Sequence, residues 1–377
     1  MRNKFKLAIL ALVIGSFTTA CQSEYDIIEN GVYLTDAQTS QVKRVTIDDK
    51  GASTQVSVRL ATPTEQDVTV NYGFNAAALQ TYNEKNGVDF HLLPEKYYSF
   101  SNTQATIKAG EVSSAPVNLV IKPFDEGIDA TKKYAIPVSI VSASGADILQ
   151  ASSSLMILID QVVVTTVPYL GANRIEVTPE KPIEGLSAWT LEWNLCKDEF
   201  DRNNATQWHI EGLDGSPVIY TRFGDVTCDP NQFQAKVGAG KPQSITRFTA
   251  KKWYHLAFTY DGSNLRLYVD GKLDFTYPHA TPGEVFAFSR VVFGNAKGAS
   301  YNGMVSELRV WSVARSQTEI ENNMYVVSPD SPGLEVYWKC NEGGGTMIKD
   351  HSNHSRDGKL AKEATWKDGI RFPDDGK

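Results

Sequence analysis

The clearest alternation of apolar and polar positions lies at residues 253–273. Tyr254, Leu256, Phe258 and Tyr260 alternate with His255, Ala257 and Thr259, the period of a strand with one face buried. Asp261, Gly262, Ser263 and Asn264 break the run, and Leu265, Leu267 and Val269 then alternate with Arg266, Tyr268 and Asp270 in a strand that returns antiparallel. Asp270 and Gly271 make a second tight turn, because both residue types tolerate positive φ. Two strands bury too little apolar surface to stand alone in water, so the pattern demands a second sheet. Tyr254, Leu256 and Phe258 are expected to fill the space between the sheets, and the hairpin is expected to be scaffold.

The same period recurs along the chain. Trp189, Leu191, Trp193 and Leu195 alternate with Thr190, Glu192, Asn194 and Cys196. Further strands are predicted at 208–211, 218–223, 232–237, 290–294, 304–311 and 334–340. Ser316 and Glu319 have capping-box spacing and predict one short helix with Ile320 and Met324 on one face. In the first half, strands are predicted at 42–47, 54–60, 67–72, 106–107, 116–121, 135–140 and 155–159, with one helical or coiled segment at 75–84. Short strands divided by turn signals predict an all-β fold. The expected division is a β-sandwich over 31–161, a connector that becomes a strand over 161–170, and a second domain over 165–375.

The N-terminus changes the picture of location. Arg2, Lys4 and Lys6 precede a short apolar core from Leu7 to Gly15, too short to span a bilayer as a mature helix. Thr18, Thr19 and Ala20 lead to Cys21. The arrangement resembles a bacterial lipoprotein signal, which implies lipidation at Cys21, with Thr18 standing where an apolar residue is usual. Residues 22–30 then read as a polar, acidic tether. The expected location is the outer membrane, facing the cell surface, with a periplasmic orientation as the alternative. The 377 residues carry a net charge of −7, and removal of residues 1–21 takes away three cations and no acid, leaving −10. That balance disfavours nucleic acid, whose phosphates need a basic face. Contact with a membrane is expected through the lipid alone.

Two family resemblances follow. Tyr82-Asn83, His91-Leu92-Leu93-Pro94, Tyr97-Tyr98, Thr106-Ile107-Lys108-Ala109-Gly110 and Lys133-Tyr134-Ala135-Ile136-Pro137-Val138 resemble an N-terminal domain of surface lipoproteins from Gram-negative gut anaerobes. That domain precedes family 18 glycosidase or lectin-like domains, and the resemblance implies an accessory sandwich without catalysis. Residues 253–262 with Leu267-Tyr268-Val269-Asp270-Gly271, then 302–311 with Ala314-Arg315, then 337–343, are similar to the laminin-G-like, concanavalin-A-like family. The implied fold is a jelly roll of two antiparallel sheets, one concave. The family also implies a structural calcium ion held by carboxylate and backbone oxygens. Asp350 and Asp225 are the aspartates considered for it, and no metal ligands are assigned.

Catalytic chemistry is not found in the sequence. A retaining glucanase of this fold needs two carboxylates about 5 Å apart, placed by a Glu-x-Asp-x-x-Glu run that is missing. Asp198-Glu199-Phe200-Asp201 has the wrong spacing and reads as a solvated turn. Glu307, two residues before Arg309, reads as an ion-pair partner. Cys196, Cys228 and Cys340 remain after the lipid site, so a Cys196–Cys228 bridge and buried thiols both stay open. Sugar recognition needs aromatic faces and planar polar groups, and Trp208, Tyr220, Arg222, Tyr301 and Asn302 are the candidate glycan-binding residues. No catalytic residues are assigned. The expected function is capture of an oligosaccharide, of N-glycan type by preference, for a polysaccharide-utilisation system with an outer-membrane transporter and a neighbouring glycosidase. The alternatives are a divergent jelly-roll glycosidase and a protein-binding adhesion module.

Overall fold

The computed structural model describes residues 30–373 except 126, 130, 131 and 296–300. The expected signal, Cys21 and most of the tether lie outside the described residues.

In the first half, strand Val42–Ile47 pairs in parallel with Ser154–Gln161. Antiparallel neighbours follow in the order Lys133–Ser144, Val68–Phe74 and Gln104–Ile107. A three-stranded sheet of Ala52–Val56, Val117–Ile121 and Tyr98–Phe100 shares a core with it. Alternation decides which side chains enter that core: Val117, Leu119 and Ile121 are buried, whereas Asn118 and Val120 are exposed. The segment expected to be helical or coiled is a helix, Ala76–Asn86. Asn75 caps it by accepting from the amides of Ala77 and Ala78, and Gly87 ends it at φ 63°. Tyr97 and Tyr98 pack in the core.

The second half is a sandwich of two antiparallel sheets. One runs Lys272–Pro278, Asn264–Val269, Trp253–Tyr260, Trp189–Lys197, Gly303–Trp311, Val163–Tyr169 and Thr365–Phe372, with Leu334–Trp338 also beside Gly303–Trp311. The other runs Cys228–Val237, Pro217–Asp225, Ala205–Glu211, Arg290–Gly294, Arg174–Val177, Gly358–Leu360 and Met347–Ile348. Trp189, Leu191, Trp193 and Leu195 of the first sheet meet Trp208, Ile210, Phe223 and Phe233 of the second. Trp193 and Trp208 touch edge to face with centroids 6.1 Å apart. Tyr254, Leu256 and Phe258 fill this space, as their alternation predicts. The hairpin gains a third strand, Lys272–Pro278.

One expectation is corrected. Strand Trp189–Lys197 is buried on both faces, not one. Helix Gln317–Asn322, opened by the expected capping box, and the chain that follows it lie over the outward face. Ile320 packs on Ala257 and Tyr268. Arg309 donates to the carbonyl of Asn323 at 2.7 Å and Asn194 to that of Met324 at 3.3 Å. Polar side chains that would otherwise meet water are sealed in, and they pair with one another. Glu192 accepts from Arg309 at 2.9 Å and Arg315 at 2.7 Å. Arg309 also holds Glu307, which accepts from the Tyr337 hydroxyl at 2.6 Å. Glu307 is thus the expected ion-pair partner, in a buried network. Cys196, Cys228 and Cys340 are buried and form no disulfide, so the Cys196–Cys228 bridge is not made.

The two halves meet at a seam. Arg44 donates to Asn322 across it, beside a cleft of about 520 Å³ lined by residues including Lys133, Asp160, Tyr325 and Lys339.

Candidate functional site

The outward face of the seven-stranded sheet carries an open groove of about 850 Å³. Strand Pro217–Asp225 builds its floor by simple alternation. Ile219, Thr221 and Phe223 point into the sandwich with no exposed surface, so Tyr220 and Arg222 point out. Register then brings their neighbours: His209 and Lys236 lie opposite Tyr220, and Thr206 and Gln234 lie opposite Arg222.

Arg222 organises this surface. Its Nε donates to Gln234 Oε1 at 3.0 Å, its Nη1 to Asn204 Oδ1 at 2.6 Å, and it pairs with Asp225. The planar guanidinium is thereby held by three partners in a rigid fork. It lies 5.5 Å from the centroid of the Tyr220 ring, a cation–π distance. The Tyr220 hydroxyl is 3.0 Å from Thr206 Oγ1, and the His209 ring meets the Tyr220 ring edge-on at 5.7 Å. Tyr220 is therefore held at both its edge and its tip. Asn204 uses its carbonyl oxygen on Arg222, which turns its amide N–H₂ away from that bond. Lys236, Lys241 and Glu284 complete the polar lining. On the same face, Arg290 bridges Glu176 and Glu211, and Glu211 lies 3.3 Å from His209 Nε2.

A positioned aromatic ring among planar amide and guanidinium groups can stack on an apolar face while reading hydroxyls. The two carboxylates that line the groove are both engaged: Asp225 by Arg222, and Glu284 by His279 at 2.6 Å.

The structure brings together Tyr220 and Arg222 but not the other three candidates. Trp208 has no exposed surface, because it shares the inward face with Ile210, two residues on. Tyr301 is also fully buried, under Lys197, whose ammonium lies 4.8 Å from the ring centroid. Burial pushes the Lys197 amine down to about 8. Asn302 donates to Glu199 at 3.1 Å in the acidic turn, away from the groove lining. Trp208 and Tyr301 are core residues here and offer no surface to a ligand. Asn204, Lys236 and Glu284 were not singled out from the sequence. Asn204 sits at φ 62°, a conformation that asparagine tolerates, so its type is the one local signal it carries.

Neither aspartate considered for calcium is open to an ion. Asp350 spends both oxygens on hydrogen donors: Oδ1 on the amides of Tyr337 and Ser352, Oδ2 on the Ser352 hydroxyl and the Arg356 amide, all within 2.9 Å. Asp225 is bound to Arg222. Among the described residues no group of three or more His, Cys, Asp or Glu is placed to hold a metal.

Comparison with known proteins agrees with this architecture. A family model described as an N-terminal domain matches residues 28–147. The Laminin_G_3 model, of the concanavalin A-like lectin/glucanases superfamily, matches residues 200–321. No curated protein matches the chain. Among solved structures, a proposed carbohydrate-binding protein of Bacteroides ovatus is 22% identical, with 90% of this chain and 97% of that one covered and a TM-score of 0.53. At that identity the likeness shows the fold alone. Two partial likenesses have TM-scores too low to carry an argument. Bacteroides thetaiotamicron EndoBT-3987 with its Man5GlcNAc product is 23% identical over 34% of this chain and 30% of that one, at 0.28. The heptameric SAP-like pentraxin of Limulus polyphemus is 15% identical over 42% and 80%, at 0.35. The chain thus joins an N-terminal β-sandwich to a laminin-G-like domain of the concanavalin A-like lectin/glucanases superfamily.

Proposed function

We propose that the protein binds oligosaccharide in the groove of its laminin-G-like domain. The observation that carries this is the Tyr220 ring, locked beside Arg222, Asn204 and Lys236 on an open groove. The lectin-type fold supports the same reading. The groove acts by binding and not by hydrolysis, since its two lining carboxylates serve Arg222 and His279. Lipidation at Cys21 tethers the protein to the outer membrane at the cell surface, where it hands captured glycan to a transporter and a glycosidase of the same utilisation system. An N-acetylglucosamine-containing oligosaccharide of N-glycan type is the first ligand to test, because the N-terminal domain resembles one that precedes family 18 glycosidases.

The test is a glycan array probed with the purified protein, followed by calorimetric titration of each hit against Tyr220→Ala. Binding weakened at least about tenfold, or about 1.4 kcal/mol, is the expected result. A folded protein that binds no glycan, or one whose binding is indifferent to Tyr220, overturns the assignment. Release of a shorter sugar from any hit overturns the non-catalytic part.

A further inference from the structure

The cleft at the seam, of about 520 Å³, gathers positive charge in a chain whose net charge is −7. Its lining carries the cations Arg44, Lys132, Lys133 and Lys339 against the acids Asp160 and Glu321. Both acids are engaged: Asp160 accepts from Arg44 at 2.8 Å, and Glu321 pairs with Lys272 at 2.6 Å. Lys132 lies 3.9 Å from Asp129. That leaves Lys133, from the first half, and Lys339, from the second. Among the described residues neither forms an ion pair or a side-chain hydrogen bond, and the Lys339 ammonium lies 5.5 Å from the centroid of the Tyr337 ring.

Lys133 opens strand Lys133–Ser144 and is half-buried at the seam, while its neighbour Lys132 stays exposed. Taking an ammonium out of water without a partner is costly, and burial pushes this amine down to about 8. Asp160 and Glu307 pull it back up, and Arg309 and Arg44 oppose them. Those four groups are already joined, Asp160 to Arg44 and Glu307 to Arg309. The surrounding charges therefore cancel in pairs and leave the Lys133 ammonium without a counter-ion. Lys339 is half-buried too. Two half-buried, unpaired ammonium groups on one cleft call for an anion that enters from solvent, and they attract it more strongly there than in open water.

The rest of the lining decides what carries the anion. Phe124 from the first half and Tyr325 from the second are both half-buried, and Val164 between them in sequence is 58% exposed. These give the cleft an apolar surface that solvent reaches. Its volume falls within the roughly 300–1,000 Å³ of small-molecule sites, room for a charged group on a body of one or two rings. We propose that the seam cleft binds an anionic sugar, whose carboxylate or sulfate is held by Lys133 and Lys339 and whose ring lies against the apolar lining. That the anion rides on a sugar rests on the glycan-binding reading of the second domain; the anion site itself rests on the seam. Because the two lysines come from different halves, a bound anion would also tie the halves together.

The test uses saturation-transfer NMR titration of protein carrying Tyr220→Ala and Arg222→Ala, which silence the groove. The anionic probes are methyl β-D-glucuronide, N-acetylneuraminic acid and N-acetyl-D-glucosamine 6-sulfate. Methyl β-D-glucoside and N-acetyl-D-glucosamine are the neutral controls. At least one anionic probe is expected to bind, at least about tenfold tighter than either neutral sugar. Binding by a carboxylate or by a sulfate supports the proposal, and the set of probes tells the two apart. Lys133→Met should weaken that probe at least about tenfold in a protein that is more stable for losing a buried cation, so lost binding is not lost fold. Lys339→Met, checked by circular dichroism, is the second variant. No binding of any anionic probe overturns the proposal, as does equal binding of the neutral sugars or binding indifferent to both lysine substitutions. If unaltered protein binds oligosaccharides while the groove-silenced protein binds no anionic sugar, the seam site fails and the groove stands. If neither binds sugar, the glycan-binding reading itself fails.

Discussion

The buried charge network under helix Gln317–Asn322 makes a demanding prediction. Arg309 has no exposed side chain and serves Glu192 and Glu307 together. Arg309→Met keeps most of the volume but strands two carboxylates. Glu192 retains Arg315 and Glu307 retains the Tyr337 hydroxyl, so neither is wholly abandoned. Breaking a buried pair by removing one partner costs about 3–5 kcal/mol, a large share of the roughly 5–15 kcal/mol that holds a domain together. With a urea m-value near 3 kcal/mol/M, that loss lowers the midpoint by about 1–2 M. All seven tryptophans fall between Trp189 and Trp366. Their fluorescence therefore follows the second domain without interference from the first, which matters because two domains need not unfold as one. The pH dependence gives an independent check. Burial pushes the Glu192 carboxyl up, but Arg315, His255 and Arg309 outweigh it and hold it below the usual carboxylate range. The unfolded chain thus takes the proton first on acidification. The pair's stabilisation is complete above about pH 4.3, the ordinary glutamate value, and fades as pH falls below it. In Arg309→Met that carboxyl protonates more readily, so the cost of the substitution shrinks toward low pH. A loss under about 1 kcal/mol, well short of a broken buried pair, or a cost that stays flat on acidification, would refute this account.

Three further outcomes follow from the same structure. Burial pushes the Lys133 amine at the seam down to about 8; the unfolded chain then holds the proton to higher pH, so calorimetric stability rises with pH from about 8 to 10. At pH 7 the fold carries this burial penalty in full, and Lys133→Met is expected to raise stability by about 1–2 kcal/mol, allowing for partial exposure of the side chain. Ser316→Ala removes the acceptor for the Glu319 amide and half of the capping box, at about 0.5–2 kcal/mol by urea titration. The Cys340 thiol, fully buried and pushed well above its ordinary value by that burial, is expected to resist iodoacetamide in native protein at pH 8 and to react in urea, as read by mass spectrometry; rapid native labelling would contradict its burial.

Much of the second domain was legible because its strands obey period two. Arg290–Gly294 matches its expected bounds, and Gly303–Trp311 begins one residue early. Some of the strands that the pattern does not mark are short or lack alternation. Ile183–Leu186 is interrupted by a register shift, and Gly358–Leu360 has three residues. Such strands are set by what they pair with and not by their own pattern. The double burial of Trp189–Lys197 was hidden for a related reason. Glu192 and Asn194 read as solvent-facing, and only a cover arriving from residues 312–327, more than a hundred positions away, turns them inward.

The groove divides along the same line. Tyr220 and Arg222 could be read because Ile219 and Phe223 fix the parity of their strand. Trp208 obeys the same parity: counting back from Ile210 puts it inside, where its ring packs in the core and not on the groove. Asn204, Lys236 and Glu284 reach the groove from a turn, a neighbouring strand and a distant loop. Their arrival depends on register, and the Ala205–Glu211 strand shifts register between Thr206 and His209. One such slip moves every later side chain to the other face. A sequence that repeats with period two therefore identifies which strands make a sandwich, while the ligand surface is assembled by pairings between strands. In this domain the residues that identify the fold lie mostly inward, and those able to touch a ligand combine outward positions of the same strands, Tyr220, Arg222 and Lys236, with Asn204 and Glu284 from the loops beside them.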